Sequence, residues 1–177
     1  MSDNIPLPSD QGYLAWTFDP AAGSTTGTTA ATGTLYMSAL YLRTATVIST
    51  ISWAQLTAGT SPTSSENWAG LYSSTGTLLG SAGIDATVTN GNTVSTASIT
   101  RTVVNPGFCW VGLLYNATPS PALIRASENT LVVVNAGLAT SALRFTSNGT
   151  ALTSLPGSIT PSGNSATIGN SYWAALS

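Results

Sequence analysis

Two residue types on which many enzymes depend, histidine and lysine, are absent from this chain of 177 residues. A serine nucleophile would therefore lack its usual imidazole or amine base, and a zinc site built on histidine is excluded. The single cysteine, Cys109, has no second cysteine in the chain with which to form a disulfide. Because Cys109 lies within an apolar run, we expect a buried, inert thiol rather than a reactive one.

Charged residues are also scarce, at 6% of the chain against roughly 25% in ordinary soluble domains. The carboxylates lie scattered along the sequence at Asp3, Asp10, Asp19, Glu66, Asp85 and Glu128. Glycoside hydrolysis needs two convergent carboxylates, so a depolymerase is retained only as an alternative. Calcium bound by Asp85 and loop carbonyls is conceivable, but no EF-hand-like spacing supports it. We therefore predict no catalytic residue, no metal and no cofactor.

The only cations are four dispersed arginines, Arg43, Arg101, Arg125 and Arg144. Phosphate recognition requires a basic patch, so nucleic acid is not expected as a partner. We expect the arginines to pair with carboxylates or to cross subunit interfaces. No apolar run approaches the roughly 18 residues of a membrane span, so membrane insertion is not expected either. The polar first residues, MSDNIPLPSDQ, are not typical of a secretory signal peptide.

What the chain has instead is hydroxyl groups, since serine and threonine make up about 30% of it, far above ordinary usage. A hydrophobic fraction of 42% and a net charge of -2 are not typical of disorder. Threonine, valine, isoleucine and aromatic residues favour strands, while 17 glycines and 9 prolines favour turns. The composition therefore predicts an all-β protein, whose few titratable groups should make its stability depend only weakly on pH.

Along the chain, residues 1–33 are predicted to form an extended N-terminal arm, with a flexible, low-complexity loop at 20–33. Residues 34–177 are predicted to form a jelly-roll-like β-sandwich of about eight antiparallel strands. Within the segment 46–56, alternation places Val47, Ile51 and Trp53 on one face. The predicted strands are 34–43, 46–56, 67–72, 77–82, 95–104, 108–117, 123–128 and 130–137, with a further strand-like stretch at the closing YWAAL.

The motif Trp-x-Gly-Leu occurs twice, at residues 68–71 and 110–113. Residues two apart in a strand share a face, so each tryptophan lies beside a glycine that leaves room for a ring or a facing strand. This favours two equivalent strands, in facing or adjacent sheets, whose aromatic residues pack in the interior. The alternative is a carbohydrate platform, in which exposed aromatic rings stack on sugars; its candidate residues are Trp68, Tyr72, Trp110 and Tyr115.

Several stretches in order resemble the jelly-roll-type virion proteins of tailed phages that infect actinobacteria, usually described as minor tail, head-fibre or minor capsid proteins. The matching stretches are LPSDQGYLAWTFDPA (7–21), GTLYMSALYLRTATVIS (33–49), LTAGTSPTSSENWAGLYSSTGTLLGSA (56–82), FCWVGLLYN (108–116), IRAS (124–127) and LPGSITPSGNSATIGNSYWAALS (155–177). No catalytic signature is part of this resemblance.

The resemblance implies a non-enzymatic structural protein, displayed on the virion as a capsid decoration, head fibre or minor tail component. It implies assembly in the host cytoplasm with other capsid or tail proteins, and a final location on the extracellular virion. By analogy we expect a homo-oligomer, with a trimer as the candidate state, in which residues 1–33 attach to the particle or swap between subunits. The alternative function is a receptor-adsorption module that binds a host cell-surface glycan.

Overall fold

The computed structural model describes residues 6–126, 132–167 and 169–177. Within these ranges the chain forms eight strands of three or more residues and four of two residues. The strands are β1 Ala15–Trp16, β2 Thr28–Thr29, β3 Leu35–Leu42, β4 Thr46–Thr57, β5 Trp68–Ser73, β6 Leu78–Gly83, β7 Thr93–Val104, β8 Gly107–Leu114, β9 Ala122–Leu123, β10 Phe145–Ser147, β11 Ser165–Ala166 and β12 Ala174–Leu176.

These strands build two antiparallel sheets, which confirms the predicted all-β sandwich. Sheet 1 has the order β1-β12-β4-β9-β2, with β7 on the other edge of β4, because Trp53 pairs with both Ala174 and Ser95. Sheet 2 has the order β11-β10-β3-β8-β5-β6. Short 3-10 helices lie before β1 at Pro8–Gln11 and between strands at Pro20–Ala22, Asp85–Thr87, Val132–Asn135, Thr140–Ala142 and Pro161–Gly163. Among the described residues, no helix has the length and apolar character needed to cross a membrane.

The sandwich contains two hydrophobic cores, one on each face of sheet 2. The inner core lies between the sheets and joins residues such as Ile51 and Trp53 of sheet 1 to Leu71 and Val111 of sheet 2. The outer core lies on the far face of sheet 2, where Tyr72 and Trp110 are central. Its other members come from β3, β8 and the later segment 152–159: Leu35, Met37, Leu114 and Ile159, with Leu152 and Leu155 packed against them.

The two Trp-x-Gly-Leu motifs pair with each other in adjacent strands of sheet 2. In the antiparallel register of β5 and β8, Gly70 lies opposite Gly112, and Tyr72 lies opposite Trp110. A Cβ atom on Gly112 would come within 3.1 Å of Tyr72 Cε2, and one on Gly70 within 2.5 Å of Leu155 Cδ1. The glycines therefore make room for side chains that lie across the strands, as the sequence indicates. The two motifs lie in adjacent strands of one sheet and not in facing sheets.

The predicted alternation along 46–56 is wrong at Val47. Ile48 and Ile51 are both buried in the inner core, whereas Val47 is exposed. The register of β4 shifts between Ile48 and Thr50, where Ser49 N and Thr50 N both donate to the carbonyl oxygen of Ser177, at 2.9 and 2.8 Å. Two residues opposite one define a β-bulge, and a bulge reverses which face the preceding side chains occupy.

The predicted extended arm, residues 1–33, is also corrected over its described part. β1 pairs with β12 and β2 pairs with β9, so this segment supplies two strands of sheet 1. The Tyr13 ring packs edge-on against Trp173 at 5.7 Å between centroids, and Trp173 Nε1 donates to Phe18 O at 3.1 Å. These contacts bind the segment to its own sandwich, so the division at residue 33 does not separate an arm from a domain.

The strands predicted at 123–128 and 130–137 differ from the structure as well. Only Ala122–Leu123 forms a strand, Arg125 and Ala126 make isolated bridges, and Val132–Asn135 is a 3-10 helix. Residues 127–131 lie outside the described residues. Asn135 ends the helix by exchanging two hydrogen bonds of 3.0 Å with the backbone of Phe145, and Ala136 and Gly137 then adopt positive φ. The paired hydrogen bonds between the buried Asn135 side chain and the Phe145 backbone therefore take the place of the strand pairing expected from the apolar run.

The tight contacts at Gly112 lead to a prediction about stability. The Cβ of a Gly112→Ala variant would meet Leu35 Cδ1 at 3.0 Å and the Tyr72 ring, both in the filled outer core. We expect a loss of about 1–3 kcal/mol in the free energy of unfolding, as for overpacking in other cores. Gly83→Ala is the control, since nothing lies within 4 Å of its Cβ position. Urea unfolding of both variants measures the difference, and equal stabilities would contradict the packing argument.

Candidate functional site

The four aromatic residues of the carbohydrate platform do not form one exposed surface. Tyr72, Trp110 and Tyr115 are 0% exposed, and Trp68 is half-buried. Tyr115 belongs to the inner core, whereas Tyr72 and Trp110 belong to the outer core. A sugar ring cannot stack on the three side chains that the chain itself covers, so these three pack in the interior, as the favoured interpretation of the motif predicted, and do not form a carbohydrate platform.

The polar atoms of these aromatic residues show what covers them. Tyr72 OH donates to Pro156 O at 2.9 Å, Trp110 Nε1 donates to Leu143 O at 3.0 Å, and Trp68 Nε1 donates to Ser65 O at 3.1 Å. The two carbonyls above the outer core belong to segments that follow β9 in the chain. The later segments therefore pack on the repeated motif and are hydrogen-bonded to its aromatic side chains. The sequence contains no signal that predicts this packing.

Two buried tyrosines differ in a way that mutation can test. Tyr72 OH has its partner at Pro156, whereas Tyr115 OH and Trp53 Nε1 have no hydrogen-bond partner of good geometry. Removing a satisfied hydroxyl loses its hydrogen bond and leaves the carbonyl unpaired, so Tyr72→Phe should cost about 1 kcal/mol of unfolding free energy. Tyr115→Phe should be close to neutral. Chemical denaturation compares the two, and a larger loss for Tyr115→Phe would contradict the assignment.

Among the acidic residues that the structure describes, Asp85 accepts the most hydrogen bonds, three in number. It starts the 3-10 helix after β6, and its carboxylate accepts hydrogen bonds from Ser65 N at 2.6 Å, Asn67 Nδ2 at 2.9 Å and Asn67 N at 3.3 Å. Burial alone would raise the pKa of Asp85, but these donors outweigh it and hold the pKa below its ordinary value. The carboxylate therefore fastens the loop before β5 to the turn after β6.

This arrangement does not suit the chemistry considered for Asp85. Both carboxylate oxygens face N–H donors, whereas a calcium site directs oxygen lone pairs at the ion. A carboxyl group with a lowered pKa is ionised near neutral pH, so it is not the proton donor that glycoside hydrolysis requires. Across residues 6–126, 132–167 and 169–177, no three acidic or cysteine side chains cluster as metal ligands.

The lowered pKa predicts how Asp85 contributes to stability. Its contribution is present above the unfolded-state value of 3.8 and is lost as the pH falls through the lower folded-state value. Asp85→Asn should lose about 1 kcal/mol near neutral pH, because the amide offers one neutral acceptor oxygen where the carboxylate offers two charged ones, while solvent screening at this partly exposed site keeps the loss small. The gap from the wild type should narrow as the pH falls below 3.8 and the Asp85 carboxylate becomes protonated.

Urea unfolding over this pH range measures the effect of the Asp85 substitution. Asp19→Asn is the comparison, since the Asp19 side chain accepts a single hydrogen bond, from Ala21 N at 2.9 Å. A gap between wild type and Asp85→Asn that stayed constant at every pH would show that the carboxylate charge is not responsible.

Cys109 is buried, as the apolar run predicted, and burial raises the pKa of its thiol to about 12. Two of the four arginines, Arg125 and Arg144, bind backbone carbonyls of the N-terminal segment. Arg144 Nη2 donates to Thr17 O at 2.9 Å and its guanidinium lies 5.4 Å from the centre of the Phe145 ring. Arg125 Nε donates to Thr26 O at 3.2 Å. Both side chains therefore hold residues 17–26 against the sandwich through backbone carbonyls.

A surface feature that sequence reasoning missed is an open groove of about 470 Å³, named here the Tyr41 groove. Residues 6–9, 14–16, 41–44 and Thr46 line it. Three exposed apolar side chains are among them: Leu7, Leu14 and Tyr41. The available signal was the strand TLYMSALYLR, which is apolar on both faces, but the neighbours from residues 6–16 follow from the fold alone.

No protein-family model matches the chain, and a search of curated proteins finds no match either. The function is therefore argued from the geometry and from the resemblance described above.

Proposed function

We propose that this chain is a non-enzymatic structural protein of a tailed-phage virion. In this proposal it is displayed on the particle surface as a capsid decoration, head fibre or minor tail component. It assembles as a homo-oligomer with other virion proteins in the host cytoplasm and is carried outside the cell on the particle.

The observation that carries this proposal is the cover on both faces of sheet 2. Tyr72 and Trp110, the large rings of the repeated motif, are buried in an outer core that residues 152–159 complete. A layered, fully packed sheet is mechanically rigid, because a close-packed interior resists deformation. This is what a displayed component of a particle requires, and it uses the aromatic residues for packing instead of recognition.

The use of polar side chains supports the same role. Asn116 N donates to Asn67 Oδ1 at 2.7 Å, and Asn116 Nδ2 donates to Glu66 O at 3.0 Å and Leu152 O at 2.9 Å. These buried amides join the loop before β5, the end of β8 and the cover of the outer core. Neutral hydrogen bonds of this kind do not titrate and are screened little by salt, which suits exposure to uncontrolled conditions outside cells.

The glycan-adsorption alternative has lost three of its four proposed residues, because Tyr72, Trp110 and Tyr115 are buried. The depolymerase alternative is disfavoured by Asp85, whose carboxylate serves as an acceptor for loop N–H groups. A structural role is therefore the function that the described part of the chain supports best.

The test is the presence of the chain in purified particles. An antibody raised against the purified chain should detect it in density-gradient fractions that contain intact particles of the encoding phage, while a host cytoplasmic protein used as the control should be absent. Immunogold electron microscopy then locates it on head or tail, and its copy number relative to the major capsid protein separates decoration from tail component. Absence from the particles, or cleavage of a cell-wall polymer by the purified chain, would contradict the proposal.

A further inference from the structure

The dipeptide Asn-Gly occurs twice in the chain, at residues 90–91 and 148–149. An asparagine followed by glycine can lose its side-chain amide spontaneously, because glycine has no side chain to hinder the approach of its own backbone nitrogen. Both glycines are exposed, so solvent reaches the two peptide nitrogens alike. A difference in reactivity between the two pairs would therefore come from the way in which the fold holds each asparagine.

The reaction requires the asparagine to move relative to its own backbone. The glycine nitrogen loses its proton to solvent hydroxide and attacks Cγ of the asparagine side chain. The new C–N bond closes a succinimide ring, and the C–Nδ2 bond breaks as the amide takes up a proton from water and leaves as ammonia. Water then opens the ring at one of its two carbonyl groups and leaves aspartate or isoaspartate. Hydrogen bonds that fix the amide or the flanking backbone oppose ring closure, because they must break before it.

Asn148 is held at its amide and on both sides of its peptide bond. Its Nδ2 donates to Thr160 O at 3.1 Å and to Asn164 Oδ1 at 2.8 Å. Its backbone N donates to Leu35 O at 3.0 Å, and Gly149 O accepts from Leu35 N at 3.3 Å. Loss of the amide would break both side-chain bonds, and rotation of the backbone would break the paired bonds to Leu35.

Asn90 is held by fewer hydrogen bonds. Its backbone N donates to Thr87 O at 3.0 Å, but its Nδ2 donates a single bond, to Ser95 Oγ at 3.2 Å. Its carbonyl oxygen accepts a long bond of 3.4 Å from Gln55 Nε2. Within the part of the chain that the structure describes, the backbone of Gly91 makes no hydrogen bond. The peptide between Asn90 and Gly91 can therefore rotate at a smaller cost than its counterpart at Asn148.

We propose that Asn90 is a site of spontaneous deamidation in the folded protein, and that the fold protects Asn148 from the same reaction. The product adds one negative charge to a chain whose net charge is -2. The chemistry belongs to the chain alone, so this inference goes beyond the proposed function and does not rest on it.

Deamidation at position 90 changes a chain of hydrogen bonds that leads into the sandwich. The Ser95 hydroxyl accepts from Asn90 Nδ2 and donates to Gln55 Oε1, and both Ser95 and Gln55 are buried. A carboxylate at position 90 can only accept a hydrogen bond. The hydroxyl of Ser95 then has one proton for two acceptors, so the modified side chain competes with Gln55 for it.

The experiment compares the two Asn-Gly pairs in the folded and the unfolded chain. The purified wild type is incubated in mildly alkaline buffer, with and without denaturing urea, and samples taken over time are digested with trypsin under mildly acidic conditions. Cleavage after arginine places Asn90 in the peptide 44–101 and Asn148 in the peptide 145–177. Mass spectrometry with fragmentation then measures the gain of one mass unit at each asparagine.

In urea the two asparagines should deamidate at similar rates, because only the local sequence acts there. In the folded chain Asn90 should react roughly tenfold faster than Asn148, since fewer hydrogen bonds must break and each contributes about as much free energy as a tenfold change in rate represents. The ratio in the folded chain, divided by the ratio in urea, isolates the contribution of the fold.

Two variants test the hydrogen bonds one at a time. Asn164→Ala removes one acceptor of the Asn148 amide and should speed deamidation of Asn148 roughly fivefold, without change at Asn90. Ser95→Ala removes the acceptor of the Asn90 amide and should speed deamidation of Asn90 by a similar factor, without change at Asn148. Thermal unfolding checks that each variant is folded, and the comparison of folded with unfolded wild type stands without either of them.

Three results would overturn the proposal. The first is an Asn90 that stays unmodified in the folded chain while the urea sample reacts. The second is a folded chain in which Asn148 reacts as fast as Asn90 or faster. The third is a pair of folded variants whose rates equal those of the wild type, which would show that these hydrogen bonds do not control the reaction.

Discussion

The structure depends on the close pairing of β5 with β8, where Gly70 and Gly112 lie opposite each other at the centre of sheet 2. With side chains at these two positions, the Tyr72 ring and Leu155 could not lie across the strands, and the outer core would lose its floor. The inner face of the same strands, with Leu71 and Val111, packs against sheet 1 in the ordinary way of a sandwich. The glycines therefore allow sheet 2 to carry a second packed core on its outer face, in addition to the core between the two sheets.

Because few residues of this chain are charged, ion pairs cannot fix many of its loops. Side-chain amides fix several of them by hydrogen bonds instead. Asn67 Oδ1 accepts a hydrogen bond from Asn116 N, and the Asn135 side chain both donates to Phe145 O and accepts from Phe145 N. Gln55, buried in β4, donates to Thr87 O at 3.1 Å and accepts from Ser95 Oγ in β7. Since an amide both donates and accepts, each can satisfy two backbone groups at once. Three carboxylates, those of Asp10, Asp19 and Asp85, also fix backbone segments, and each accepts hydrogen bonds from N–H donors.

The fold class and the longest strands could be predicted from the sequence because they rest on local signals: alternation, composition and turn residues. The error at Val47 arose because the bulge at Ser49 and Thr50 is set by Ser177, more than a hundred residues later in the chain. Residues 6–33 were misread for a similar reason. The low-complexity part, residues 20–33, shows no alternation of apolar and polar residues, and the short strands of this segment form by pairing with β12 and β9. The motif predicted interior packing for Tyr72 and Trp110, but no local pattern in the sequence indicates that residues 152–159 cover them.

The same long-range pairing explains why the Tyr41 groove exists. β1 lies at the edge of sheet 1 beside β12, and the residues just before it, 6–9 and Leu14, are carried to the end of β3 in sheet 2. There the outer face of sheet 2 continues through Tyr41, while the covering segment packs on Leu35 and Met37 at the other end of the strand. Because the cover stops short, apolar surface that elsewhere is buried within the chain faces outwards. The exposure of Leu7, Leu14 and Tyr41 therefore follows from the positions at which the strand pairing and the cover of sheet 2 end.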